Sequence, residues 1–178
     1  MPRRHPRQGR PLAKEFRVLG VDPGITNTGY GLVVEAAGTL TAGRHGAIKT
    51  ASRADMSHRL DIIYTESKKV ILELEPDVVV LEQQFFNTNQ KTATAVGQAR
   101  GVILLACNHA GVAWAEYTPL EVKQAVVGNG NATKDQVQYM VTMLLRLAEP
   151  PETSHACDAL AMAICHLQGR RLRELTGT

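Results

Sequence analysis

Four side chains in this 178-residue sequence have the types and the placing to hold a cation or move a proton: Asp22, Glu82, His155 and Asp158. Asp22 ends the apolar start of VLGVDPGITNTGYGLV (18–33), just before Pro23-Gly24. Glu82 ends the apolar run of DVVVLE (77–82). Each acid therefore stands at the carboxyl end of an otherwise apolar β-run, the edge at which α/β sheets bind ligands. On parallel neighbouring strands the two would repel unless a cation lay between them. Thr153-Ser154-His155-Ala156-Cys157-Asp158 can open a helix, with His155 and Asp158 three residues apart on one face of its first turn. Three carboxylates and an imidazole suit one or two Mg²⁺ or Mn²⁺ ions.

Each of the four also has an ordinary structural explanation. Asp before Pro-Gly is common turn usage. Asp158 would favour a helix N-terminus electrostatically, and His155 could be a surface histidine. Glu82 is hardest to explain this way, because a charge ending a buried strand is costly unless paired. His166 and Cys165 lie two to three turns further along the same helix and read as core packing. Lys123 and Lys134 flank Gly128-Asn129-Gly130-Asn131, and Thr133 with Gln136 forms a capping box for the helix that follows. The loop suits an anion, or equally a tight turn between two helices with solvated lysines. Phe85 and Phe86 follow Glu82 directly; one would enter the core and the other could stack on bases. Lys91 and Arg100 add positive charge beyond them, whereas Trp114, within a strand, reads as core.

The elements that must position these residues follow from periodicity. Phe16 to Asp22, Tyr30 to Ala36 and Leu40 to Thr50 read as an antiparallel meander. Asp55 can cap a helix carrying Met56, Leu60, Ile63, Ser67, Val70 and Leu74 on one face, ending before Pro76. A β-run, a helix and another β-run make a right-handed crossover, so 77–82 is a parallel strand. A second crossover uses a helix over Asn89 to Ala110 and a strand over Val112 to Tyr117. Helices over Leu120 to Val127, Lys134 to Ala148 and Ser154 to Arg170 close the chain, the last apolar almost all round and so buried. The order βββαβαβααα is a five-stranded mixed sheet flanked by helices.

Length and composition are those of one globular domain with a full core. Cys107, Cys157 and Cys165 are odd in number and form no CxxC pair, which fits a reducing compartment and argues against structural zinc. No apolar run reaches the roughly 18 residues of a membrane span, and the basic start lacks a signal peptide's apolar centre, so a cytoplasmic protein is expected. The formal charge of +3 is uneven: residues 1–17 carry a net +5, leaving −2 for the rest. A basic arm on a slightly acidic body is either a grip on a polyanion or an inert leader.

LGVDPGITNTGYG, LEQQFF, GQARG, VKQAVVGNGNATKDQVQ and HACDALAMAICH, in that order, resemble the signatures of the crossover (Holliday) junction endodeoxyribonucleases, the RuvC family, from about Arg17 to Gln168. The resemblance implies a ribonuclease-H-like fold over 16–170, with 1–15 a basic flexible leader and 171–178 a short tail. It implies a homodimeric, metal-dependent endonuclease, using Mg²⁺ or Mn²⁺, that resolves four-way junction DNA by paired nicks in recombination and repair. It further implies Asp22, Glu82 and Asp158 as metal ligands and catalytic residues, with His155 at the remaining position, where the best-known form has aspartate. Phe85, with Phe86 beside it, is then the DNA-stacking residue, Lys123 and Lys134 lie near the scissile phosphate, and the RuvA-RuvB branch-migration complex is a partner.

Two rival readings share these residues. An actin- or sugar-kinase-like ATPase also opens on an apolar strand, an Asp and a glycine turn, but needs two such lobes where this chain supplies one. A junction-binding module without catalysis would keep the fold. It would not gather three acids where DNA phosphates must lie.

Overall fold

The computed structural model describes residues 15–83 and 90–176, so the leader and both Phe85 and Phe86 lie outside the described residues. Ten elements follow the expected order: β1 (Phe16–Asp22), β2 (Asn27–Ala36), β3 (Thr39–Lys49), α1 (Met56–Leu74), β4 (Val78–Glu82), α2 (Gln90–Ala110), β5 (Ala113–Tyr117), α3 (Pro119–Val127), α4 (Lys134–Leu144) and α5 (Ser154–Thr176). The strands form one sheet in the order β3-β2-β1-β4-β5. β1, β2 and β3 are the antiparallel meander, and β4 runs parallel to both β1 and β5. This is the five-stranded mixed sheet of the ribonuclease-H-like class.

The period-2 alternation of the central strands divides the core between two faces. Leu19, Val21, Val79 and Leu81 point to α1 and α2, where they pack with Ile63, Ile71 and Ile103. Val18, Val78 and Val80 point the other way, to α3, α4 and α5. α5 is the centre of that second layer, with Ala159 through Cys165 buried without interruption. The register Val21↔Leu81 then sets Asp22 and Glu82, the next residue of each strand, side by side on the α5 face.

Several boundaries depart from the sequence reading. β2 begins at Asn27 rather than Tyr30, and α4 stops at Leu144 rather than Ala148 because Arg146 takes a left-handed φ of 53°. α5 continues through 171–176, so those residues extend the helix instead of forming a separate tail. Asp55 precedes α1 without a side-chain capping bond. Trp114 is not core: it is 48% exposed, because β5 is an edge strand that its neighbours cover incompletely. Among the described residues, no helix is long and apolar enough to cross a membrane.

Candidate active site

Three bare glycines decide where α5 meets the sheet. Gly20 and Gly31 are register partners on β1 and β2, and Gly29 is the partner of Asp22. A Cβ on Gly20 would stand 1.8 Å from the Ala159 carbonyl oxygen, and one on Gly29 would stand 2.2 Å from the His155 carbonyl oxygen. Gly31 would meet the Leu160 side chain. The first turns of α5 thus lie directly on the backbone of β1 and β2, an approach that only glycine permits. Thr153 caps the helix through its hydroxyl, which accepts from the Ala156 amide.

That seat brings His155 to Asp22 across 133 residues of sequence: Nδ1 donates to Oδ2 at 2.6 Å. Asp22, Glu82, His155 and Asp158 line one cavity of about 420 Å³, together with Lys123 of α3, Lys134 of α4 and an apolar wall that includes Val122 and Val137. All four acid and imidazole positions expected from the sequence are therefore brought together, and both lysines with them. Lys134 is the first residue of α4, behind the expected Thr133-Gln136 capping box, and its Nζ lies 3.9 Å from Asp158 Oδ2. A second capping box, Thr118 with Glu121, fixes the start of α3 and hence Lys123.

The electrostatics show negative charge in excess. Burial pushes the Asp22 carboxyl above its ordinary pKa; the His155 hydrogen bond opposes that shift and nearby Asp158 adds to it. Glu82 is raised first by burial and then by Asp22 and Asp158. Burial also raises Asp158, against the pull of Lys134 and His155. The Lys134 side chain is 82% exposed, so its screened charge offsets little of this. Among the described residues, no three His, Cys, Asp or Glu side chains are already closed around one point as a metal site.

The other candidates lie elsewhere. Lys91 stands exposed in the first turn of α2, and Arg100 pairs with Glu116 of β5. Cys165 is buried, as expected. His166 accepts or donates at 3.1 Å to the Tyr117 hydroxyl and stacks on Phe16, and burial with Arg173 and Arg170 lowers its pKa to about 4, so it stays neutral. Sequence reasoning missed Arg59. It sits 8% exposed behind the turn that follows Asp22, and the available signal was an arginine four residues before Ile63, on the buried stripe of α1.

Known proteins resemble this chain in both sequence and overall fold. The crossover junction endodeoxyribonuclease RuvC of Syntrophomonas wolfei subsp. wolfei is 50% identical over 157 residues, 88% of this chain and 91% of that protein. That of Moorella thermoacetica is 52% identical over 149 residues, 84% and 89% of the two chains. Thermus thermophilus RuvC, solved in complex with Holliday junction substrate, superposes with a TM-score of 0.83 at 37% identity, over 88% of this chain and 96% of that one. The family model described as crossover junction endodeoxyribonuclease RuvC matches residues 18–166, a span that takes in the glycine seat and all four cavity residues, and the chain belongs to that family.

Proposed function

We propose that this chain is a structure-selective endonuclease that resolves four-way DNA junctions by paired, divalent-cation-dependent nicks in recombination and repair. One observation carries the reading: three partly buried carboxylates with raised pKa values share a sheet-edge cavity with two lysines, in a chain whose family bears the name of this activity. The solved complex of the Thermus thermophilus relative with Holliday junction substrate supports the choice of DNA.

The donor set fits a hard divalent cation, since burial and then the neighbouring carboxylates raise the Glu82 pKa and the exposed Lys134 offsets only part of that charge. Asp22, Glu82 and Asp158 would hold it, with His155 as a further donor, and closure would turn the carboxylates inward. A bound Mg²⁺ or Mn²⁺ would supply an activated water and offset charge on the scissile phosphate, for products with a 5′ phosphate and a 3′ hydroxyl. The chain's own part is positional. His155 orients the Asp22 carboxylate through its 2.6 Å bond. Lys123 and Lys134 draw a backbone phosphate to the mouth of the cavity, and the apolar wall of Val122 and Val137 limits water behind it. No protein nucleophile is required, so no covalent intermediate is expected.

Phe85 and Phe86, directly beyond Glu82, would meet bases, and Lys91 would add a phosphate contact. Arg100 would first have to release Glu116. Two related nicks in a two-fold junction call for two sites, so a homodimer acting in the cytoplasm with the RuvA-RuvB complex completes the proposal. The test is nicking of a synthetic four-way junction beside a linear duplex, by wild type and Asp22→Asn, with Mg²⁺ or Mn²⁺. Paired nicks confined to the junction, lost in Asp22→Asn while junction binding persists, are expected. Tight binding without nicking in either metal would refute it.

A further inference from the structure

Arg59 is a guanidinium, 8% exposed, with no carboxylate partner among the described residues. Burying a cation on neutral oxygens is costly, so its geometry calls for an explanation. From the first turn of α1 its Nε donates to Thr50 Oγ1 at 3.0 Å and its Nη2 to Thr26 Oγ1 at 2.8 Å. Thr50, just past β3, in turn holds the same turn twice: its hydroxyl donates to the Ile25 carbonyl at 2.5 Å and its amide to the Thr26 carbonyl at 3.0 Å. The Thr28 hydroxyl donates to the Gly24 carbonyl at 2.7 Å. All three consecutive carbonyls of the turn that leaves Asp22 are thus engaged, and the guanidinium ties that turn to both β3 and α1.

The turn's two ends are the residues that matter for the cavity. Asp22 enters it, and Gly29, paired with Asp22 across β1 and β2, leaves it and carries the His155 backbone. We propose that Arg59 is a positioning residue for the carboxylate cavity: by spanning Thr26 and Thr50 it fixes the 23–28 turn, and through it the relative placing of Asp22 and His155. The coupling is mechanical, because Arg59 is not among the charges that move the Asp22 carboxyl. Lysine cannot replace it, since one ammonium on a flexible stem does not present a planar fork to two hydroxyls on separate segments, the 23–28 turn and the residue after β3.

The proposal rests on the nuclease reading for its activity arm only. Arg59→Met, Arg59→Lys and Thr26→Val are compared with wild type by amide hydrogen exchange, by junction binding in EDTA, and by single-turnover junction nicking. Exchange in 23–28 and in the first turn of α5 is expected to rise in all three variants while the core strands stay protected. Binding should hold within about two-fold and nicking should fall by about 10- to 100-fold, the range for residues that orient metal ligands. Thr26→Val keeps the buried cation and its Thr50 bond, so it reads the turn even if Arg59→Met does not fold. Wild-type exchange and wild-type nicking in Thr26→Val would overturn the proposal, as would nicking that falls only in step with junction binding. Absence of nicking in wild type would refute the nuclease reading instead and leave the exchange result decisive.

Discussion

Gly20→Ala is a one-carbon test of whether α5 is seated by bare backbone. The added Cβ would stand 1.8 Å from the Ala159 carbonyl oxygen, 2.7 Å from its carbon and 3.3 Å from its Cα, whereas ordinary contact begins at 3.4 Å. Relief therefore requires a local separation of roughly 1.6 Å between β1 and α5, and the obstacle is backbone that cannot rotate away. Overpacking of this kind costs about 1–3 kcal/mol or more. For a chain of this length that lowers the melting temperature by roughly 2–12 °C. Asp158 is the neighbour of Ala159, so the same shift moves it away from Asp22 and Glu82, and a misplacement of about 1 Å is worth on the order of 100-fold in rate. Gly97→Ala is the control: nothing lies within 4 Å of its added carbon, and in the helix interior alanine should stabilise by about 0.5–1 kcal/mol. Thermal melts and single-turnover nicking of both variants decide it. Gly20→Ala with wild-type melting and wild-type nicking would refute the seating argument.

Other consequences concern charge. Carboxyls whose folded pKa is raised bind more protons in the folded than in the unfolded state, so metal-free stability should increase as pH falls from neutral through their raised pKa values. Asp158→Asn should accordingly melt higher than wild type at pH 7 without metal and show a flatter pH dependence. It should also lose most of the stabilisation that added Mn²⁺ gives wild type, as read by calorimetric melts. Nicking with Mn²⁺ is expected to exceed nicking with Mg²⁺ because imidazole suits Mn²⁺ better, and His155→Asp should narrow the gap; an unchanged ratio would count against His155 as a ligand. Phe85→Ala and Phe86→Ala, compared for junction cleavage against junction binding, should separate a base contact, which costs cleavage, from a core residue, which lowers melting.

What could be read from the sequence was what depends on local periodicity. The meander, both crossovers and the two acids at strand ends follow from short-range patterns, and the parallel register then places Asp22 beside Glu82 without further information. Trp114 shows where such patterns stop: alternation identifies a strand but not whether it is central or at an edge, and β5 is an edge. α4 shows another limit, since the apolar spacing through Leu145 and Leu147 continues past the point where Arg146 breaks the backbone. The glycines of GVDPGITNTGYG could be read as turns or as close approach. Only α5, more than 120 residues later, explains why Gly20, Gly29 and Gly31 lack side chains. Arg59 was hidden because a basic residue on a helix surface is normally solvated, and its two acceptors, Thr26 and Thr50, come from segments 24 residues apart in sequence.

The means of fixing the acids bears on their use. Outside the cavity, some acids are matched with bases, as Arg44 with Glu73 and Arg170 with Glu35. Inside it, Asp22, Glu82 and Asp158 are held by strand ends and by a helix seated on glycine, with His155 and a distant Lys134 as their polar partners. Had arginines fixed these carboxylates, their oxygens would already be occupied and their pKa values depressed. Packing fixes them while leaving their lone pairs open, at the cost of a repulsion that the buried body of α5 must outweigh. A site meant only to hold phosphate would place bases where these acids stand. Three carboxylates held with so few polar partners beside two lysines make sense where a cation and a phosphate must occupy the same cavity together.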